Sequence, residues 1–517
     1  MMTRGRCLGL VGVLLLAACA GTPLPGGPLA ATANAPAMER HFAALKTMPA
    51  RLTAFLRAMP KGGDLHSHLS GAIYAESYIA WAQADGLCLI VASHTFTMPP
   101  CDAPAGKPPV SEAVADAAAY NALIDALSVR NYERRPVSGH DQFFATFARF
   151  GAAGDRRGPD MQAEVMARAA DQNIRYLELM TSTGMSAARK LGTTVGWDDD
   201  PGRLLKRLRT SGLDEIARQT AVAFADGDAA ARRKLSCEAP TPAPACGVTV
   251  RYLAQVIRVF PREQVFAQIA LGFLLAEQSR LVVGLNLVAP EDDRVSLADY
   301  SAHMRMIGAL RIRFPDVRVS LHAGELALGL VPPEELRLHI AEAVRIAGAS
   351  RIGHGVDILH EDNPEALLAE MAARRIMVEV NLTSNGVILG VAGADHPFET
   401  YRAFGVPLAL STDDEGVSRI DLTHEYRRAV QTYDLGYRDV KHMSRNSLTY
   451  AFIDGDSLWA DAERAIPVSH CERERPGAAR PAAACATFLA GSAKATLQWA
   501  LEAAFGRFER EWVGLAR

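Results

Sequence analysis

Three absences narrow the possibilities before any motif is considered. The 517 residues contain no run of basic side chains and no alternation of aromatic with basic residues, and the formal net charge is only −3. Nucleic acid is therefore a poor expectation and a small molecule a better one. After the first twenty residues the chain nowhere offers about eighteen consecutive apolar residues, the length a membrane-spanning helix requires. Its eight cysteines show no CxxC spacing, which argues against a zinc knuckle.

The N-terminus reads as an address. Arg4 and Arg6 precede a nine-residue apolar run, 8–16, too short to span a bilayer and suited to a signal-peptide core. The run ends in Leu16-Ala17-Ala18-Cys19, the pattern of a bacterial lipobox with lipidation at Cys19; the alternative is a plain secretory signal cleaved near Ala20. Residues 1–19 are thus expected as a lipoprotein signal peptide and 20–37, made mostly of Gly, Pro, Ala and Thr, as a flexible tether. Residues 38–517 form one domain. Ala20, where Asp would signal retention, points to the outer membrane facing the periplasm, with the lipid as the one membrane contact. Apart from Cys7 and Cys19, the cysteines fall as near neighbours in loops rich in Pro, Ala and Gly. Proximity favours Cys88 with Cys101, Cys237 with Cys246 and Cys471 with Cys485, as an oxidising compartment allows.

Residues 38–59 carry apolar side chains at helical spacing and stop at Pro60, Gly62 and Gly63. The segments 64–68, 174–180, 248–257, 281–288, 317–322, 351–354, 376–382 and 407–411 read as strands, most of them apolar on both faces, separated by helices, the pattern of a parallel sheet. They predict an α/β fold, a closed (β/α)8 TIM-type barrel with core at about residues 60–430. Disulfide-bearing loop insertions interrupt it, and a helical extension at about 431–517 covers its outside or closes one end. An open doubly wound sheet would gather ligands at a single switch point, whereas here candidate residues end several strands. The Pro-rich insertion 86–110 reads as a lid or substrate-facing loop. Phe143, Phe144, Phe147 and Phe150 form one aromatic face on a helix at 141–150, for core packing first and for an apolar pocket second.

The strand ends carry the chemistry. His66 and His68 stand two apart on a strand and so point the same way. With His322 and Asp413 they make three nitrogens and one oxygen, a set that suits zinc, or another first-row divalent ion, better than calcium or magnesium. Such a metal lowers the pKa of bound water toward about 7. Glu325, three residues after His322, is an acid–base candidate. His354 and Asp414 lie in two further segments of this kind, and Glu178, Asn286, Asn381 and Asn385 also fall at or just beyond strand ends. His94, His140, His339 and His396 sit in no metal-ligand pattern and read as surface or satisfied core residues. No lysine occurs between Lys234 and Lys441, so the modified lysine that bridges two metals in binuclear barrel hydrolases has no candidate here. One metal ion per chain is expected.

Taken together and in order, 59–69 (MPKGGDLHSHL), 320–325 (SLHAGE), 351–355 (RIGHG), 383–385 (TSN) and 411–414 (STDD) resemble the adenosine deaminase family, a mononuclear branch of the amidohydrolase superfamily. The signal peptide and disulfide loops resemble its secreted, growth-factor-type members. The resemblance implies one catalytic Zn2+ and hydrolytic deamination of adenosine or 2′-deoxyadenosine to inosine or 2′-deoxyinosine and ammonia, in purine nucleoside metabolism. His66, His68, His322 and Asp413 match its metal ligands, Asp413 also counting as catalytic. Glu325 matches the acid that protonates the purine ring nitrogen, His354 the residue that orients the water and stabilises the oxyanion, and Asp414 the carboxylate that hydrogen-bonds the five-membered ring. Two departures concern the substrate. Ser70 stands where the family has an aspartate that contacts ribose, and in 284–291 Asn286 replaces an aspartate while Ala289 or Pro290 replaces a purine-contacting glycine. Ala289 still has a backbone N–H to offer; Pro290 has none. Ser70, Asn286 and Ala289 are therefore substrate-binding candidates that keep other readings open: action on another aminopurine or amide, or a non-catalytic nucleoside-binding barrel. Glu325 and His354 argue against the last. The HxE and PCxxC signature of the other zinc deaminases is absent. Association between copies is left open.

Overall fold

The structure, a computed structural model, describes residues 35–515; the signal peptide, the Cys19 lipid site and nearly all of the expected tether lie outside the described residues. Eight parallel strands follow one another around the molecule: β1 (Gly62–His68), β2 (Ile174–Thr181), β3 (Thr249–Ile257), β4 (Val282–Val288), β5 (Arg318–Ala323), β6 (Arg351–His354), β7 (Met377–Val380) and β8 (Leu408–Leu410). Each pairs with its neighbours in sequence. The circle closes just beyond β8, where Asp413 bridges Ser67 in parallel register. There the Asp413 N–H donates to the His66 carbonyl at 2.8 Å, and the His68 N–H donates to the Asp413 carbonyl at 3.0 Å. The expected barrel is present. Helices wrap it: Arg262–Gln278 is buried on every side from Val265 to Leu275, as a helix pressed between β3, β4 and an outer helical layer must be.

Local chemistry moves several boundaries. The stretch 38–59 is two helices, Ala35–Lys46 and Pro49–Ala58, and the first begins inside the expected tether. Pro49 has no N–H to donate and pushes Met48 out of the helical region, to φ −126° and ψ 79°. β7 stops at Val380, because Leu382–Ile388 is already a helix. Within the insertion 86–110, Cys88–Ile90 pairs antiparallel with Thr95–Thr97, and this hairpin packs on the helix Gly139–Gly154. All three neighbouring cysteine pairs are disulfide-bonded. Of the aromatic face, Phe143 and Phe150 lie in the main core, Phe150 stacked on Tyr78 at 4.4 Å, so core packing is its principal use. No described helix is long and apolar enough to cross a membrane.

Beyond residue 430 the chain is helical only in part. Tyr437–Thr449 packs on β1 and β8; then come a short hairpin, Trp459–Asp461 with Ile466–Pro467, and the helices Ala483–Gly491 and Ala493–Leu515. This part closes the floor of the barrel, at the N-terminal ends of the strands. The Gly63 N–H donates to Ser447 Oγ at 2.7 Å, and Asn446 Nδ2 donates to the Leu408 carbonyl at 3.0 Å. Gly62 has φ +69°, and a Cβ there would stand 2.4 Å from the Ser444 carbonyl oxygen, so the approach requires glycine.

Glu178, expected near the mouth, belongs to this floor. The Phe452 N–H donates to its Oε1 at 2.5 Å, and Arg351 Nη2 donates to its Oε2 at 2.5 Å. The same guanidinium gives Nε to Glu379 Oε1 at 2.6 Å and lies 3.7 Å over the Phe452 ring. Arg351 is fully buried, and so are both carboxylates. Arg351→Met would strand two buried acids without their cation. We expect it to lower the unfolding free energy of the metal-free protein by about 3–5 kcal/mol in urea titration; an unchanged midpoint would show that the triad contributes nothing.

Candidate metal centre and active site

β1 delivers His66 and His68 into the mouth, β5 delivers His322, and the closing seam delivers Asp413. All four side chains are buried, and their ligand atoms converge. His66 Nε2 lies 3.1 Å and His68 Nε2 3.3 Å from His322 Nε2, while Asp413 Oδ1 lies 3.5 Å from His66 Nε2 and 3.2 Å from His68 Nε2. Four ligands at about 2.0–2.1 Å from a tetrahedral zinc stand about 3.3 Å apart. The spacing fits.

The partners on the far side of each ring strengthen that fit. His66 Nδ1 donates to Glu379 Oε2 at 2.6 Å. His322 Nδ1 faces Asn286 Oδ1 at 2.9 Å, and the same oxygen accepts the backbone N–H of His322 at 2.9 Å. That N–H can only donate, so the amide presents oxygen, and the ring must carry its proton on Nδ1. His68 Nδ1 lies 2.9 Å from Gln255 Oε1. With each Nδ1 facing an acceptor, the three Nε2 atoms are left to converge on one another and on Asp413 Oδ1. A single cation at their centre could be held by all four. A second grouping, His322 with Glu325 and His354, shares the single free lone pair of His322 and does not add an independent centre.

Three carboxyl groups share this buried space and end in different protonation states. Burial alone would raise Asp413, but hydrogen bonds with His66 and His68 outweigh it and hold the group well below the usual range. Glu325 is pushed well above its ordinary value by burial, with Asp413 and Glu291 adding repulsion. Asp414 is raised by burial too, and its Oδ1 has no partner. One acid is thus ionised where a cation belongs, and two are neutral where a proton can be given. Glu325 is held from behind: Glu291 accepts the backbone N–H groups of Gly324 and Glu325 at 3.0 and 2.9 Å. Burial lowers His354 to about 3, so its ring is neutral; it occupies the left-handed region at φ +68°, and its Nδ1 stands 3.5 Å from Glu325 Oε1.

The substrate-side candidates divide. Asn286 is turned to His322, away from any substrate position, because the backbone N–H of a strand residue needs its oxygen. Ala289 is half-buried at the end of β4 with φ +80°, a conformation natural to glycine, which marks it rather than Pro290 as the position where the resemblance expects one. Ser70 is half-buried on the loop after β1, its carbonyl taken by the Tyr78 hydroxyl at 2.7 Å. Asp414 fits only because Gly71 has no side chain; a Cβ there would fall on its Oδ1. Sequence reasoning missed Gln255, Glu291 and Glu379, polar residues in apolar surroundings with no local motif. It also placed His339 and His396 among satisfied core or surface histidines. His339 is buried and donates to Glu291 at 2.5 Å, and His396 bonds Asn385 at 3.1 Å.

The family model described as adenosine deaminase matches residues 160–460, β2 onward; His66 and His68 lie outside the match and join the site through the barrel's closure. An adenosine deaminase of Salmonella schwarzengrund is 37% identical over 155 residues, 30% of this chain and 43% of that protein, so the chain matches less than half of that relative's length. The apo structure of the N6-methyl-AMP deaminase of Arabidopsis thaliana superposes with a TM-score of 0.51 at 20% identity, covering 78% of this chain and 94% of that one. An amidohydrolase from Burkholderia ambifaria solved with bound zinc gives 0.50 at 20% identity, covering 78% and 88%. At such identities these two speak for the fold.

Of the three acceptors behind the histidine ligands, Asn286 and Glu379 are fully buried in the core, whereas Gln255 is half-buried and tied to Ser182 at the rim. Gln255→Leu removes an acceptor without unpacking the core. It is expected to weaken zinc binding about ten-fold in chelator competition while leaving the melting temperature of the metal-free protein unchanged; equal affinities would show that His68 needs no such support.

Proposed function

The chain belongs to the adenosine deaminase family, and from that premise we propose that it hydrolyses the 6-amino group of adenosine or 2′-deoxyadenosine, releasing ammonia. The observation that carries this reading is the neutral Glu325 held beside the converging ligand set. His66, His68, His322 and Asp413 would hold one Zn2+, which when bound supplies a water activated near neutral pH. Glu325 keeps a proton on its carboxyl and gives it to the ring nitrogen next to the carbon under attack, which makes that carbon electrophilic. His354, neutral and buried, offers an N–H to the oxygen on which charge develops. Asp414, also neutral and with a free oxygen, hydrogen-bonds the five-membered ring, and Ala289 offers its backbone to the purine edge.

Ser70 favours a second reading, in which another aminopurine is the preferred substrate, because no carboxylate occupies the position where a ribose contact is expected. Export and lipid attachment at Cys19, with the domain facing the periplasm from the outer membrane as in a secreted member of the family, complete the proposal.

Purified, zinc-loaded mature protein should convert adenosine with loss of the 6-aminopurine absorbance. Glu325→Gln should cut kcat by about 10²–10⁴-fold with zinc binding retained. Turnover of other aminopurines without adenosine would move the assignment to the second reading; binding of nucleoside without any turnover would make the barrel a receptor. Cys19→Ser is expected to release the protein from the membrane fraction, and an unchanged membrane association would refute the anchor.

A further inference from the structure

Which ring nitrogen of His354 carries its proton sets where the ring can donate, and the structure contains a chain of bonds that decides the matter. The chain starts at a backbone group. The Phe398 N–H lies 3.1 Å from His396 Nδ1, and a backbone N–H can only donate, so His396 Nδ1 is the acceptor and its ring proton sits on Nε2. His396 Nε2 then donates at 3.1 Å to Asn385, which must turn its Oδ1 to it. With that oxygen engaged, the other end of the amide is fixed: Asn385 Nδ2 donates to His354 Nδ1 at 2.9 Å. A ring nitrogen that accepts carries no proton, so the neutral His354 bears its hydrogen on Nε2.

All three side chains are buried, His354 and Asn385 completely, so no solvent competes for these bonds. The other polar neighbours of the ring are too distant to choose a tautomer: Glu325 Oε1 lies 3.5 Å from Nδ1, and Asn381 Nδ2 lies 3.5 Å from both ring nitrogens. The elements involved meet only in the fold. His354 ends β6, Asn385 lies in the helix Leu382–Ile388, and His396 stands just before the helix Phe398–Ala403.

We propose that His396 is a positioning residue, which acts through Asn385 to hold His354 in the tautomer with its proton on Nε2. The inference builds on the role given to His354 under the proposed function, yet its test does not need turnover. Without His396 the Asn385 amide is free to rotate and offer its oxygen to Nδ1, which would place the proton there and remove the N–H from the far side of the ring.

The direct test is long-range ¹H–¹⁵N correlation spectroscopy of ¹⁵N-histidine-labelled, zinc-loaded protein, with the His354 signals assigned by their loss in His354→Ala. Wild type should show the pyrrole-type nitrogen at Nε2 and the pyridine-type nitrogen at Nδ1. The opposite pattern in wild type would overturn the proposal without reference to any variant. His396→Leu should shift the population toward the Nδ1–H form, and His396→Gln, whose amide can still donate to Asn385, should restore Nε2–H. If His396→Leu folds and keeps the wild-type pattern, the relay is refuted. Where adenosine turnover is observed, kcat of His396→Leu should fall by about 10²-fold with KM little changed, and His396→Gln should recover most of it; equal rises in KM with kcat intact would also overturn the role. Failure of turnover in wild type would count against the substrate assignment and leave the tautomer measurement standing.

Discussion

The site depends on how the barrel shuts. The last strand does not reach the first by an ordinary run of ladder bonds; the seam is completed by the backbone of Asp413, which gives its N–H to His66 and takes the N–H of His68. The two residues bonded to it are the histidines that share its side-chain oxygen. Closure of the sheet and assembly of the ligand set are therefore one event. A slip of one residue at the seam would turn alternate side chains away from the mouth and dismantle the centre. Asp413 meets this geometry at φ +59°, a left-handed conformation that aspartate tolerates better than most residues and that is commonly retained where function requires it.

From that seam, support runs downward to the floor. Glu379 binds His66 with one oxygen and accepts from both Arg351 and Ser320 with the other. Arg351 in turn meets Glu178, which the C-terminal part of the chain reaches through the Phe452 N–H. One buried cation between two buried anions leaves a net negative charge, and that charge faces the imidazole of a metal ligand. A cation bound above returns the balance, which gives the floor and the centre a common electrostatic account. Glu379 is accordingly held well down, to about 2, burial being outweighed by Arg351 and His66.

The same low-polarity interior separates the roles of the remaining acids. Asp413 keeps its charge because two histidines satisfy it, while burial, with repulsion from Asp413, drives Glu325 and Asp414 to the neutral form. Acid and ligand thus differ by surroundings and not by residue type. Glycine makes this crowding possible: Gly71 yields the space Asp414 fills, and Gly324, at φ +74°, lets the chain turn past Asp357 so that Glu325 follows His322 into the mouth.

Much of this was readable from the chain alone. Eight strand segments separated by helices, and the metal-binding and acidic side chains at their ends, depend on local pattern and residue type, so strand number, barrel closure and the converging set of His66, His68, His322 and Asp413 could be derived without coordinates. What the tertiary structure decided is which polar residues serve which purpose. Asn286 and Glu178 carry the same marks in sequence as a substrate-binding residue, yet one holds a ligand ring and the other holds the floor. His396 looked like an ordinary core histidine and is bonded to the partner of His354. A buried polar residue in a strand reads the same whichever way its bonds run. Its partner sits on another strand, hundreds of positions away for Glu379 and His66, and only long-range pairing brings the two together.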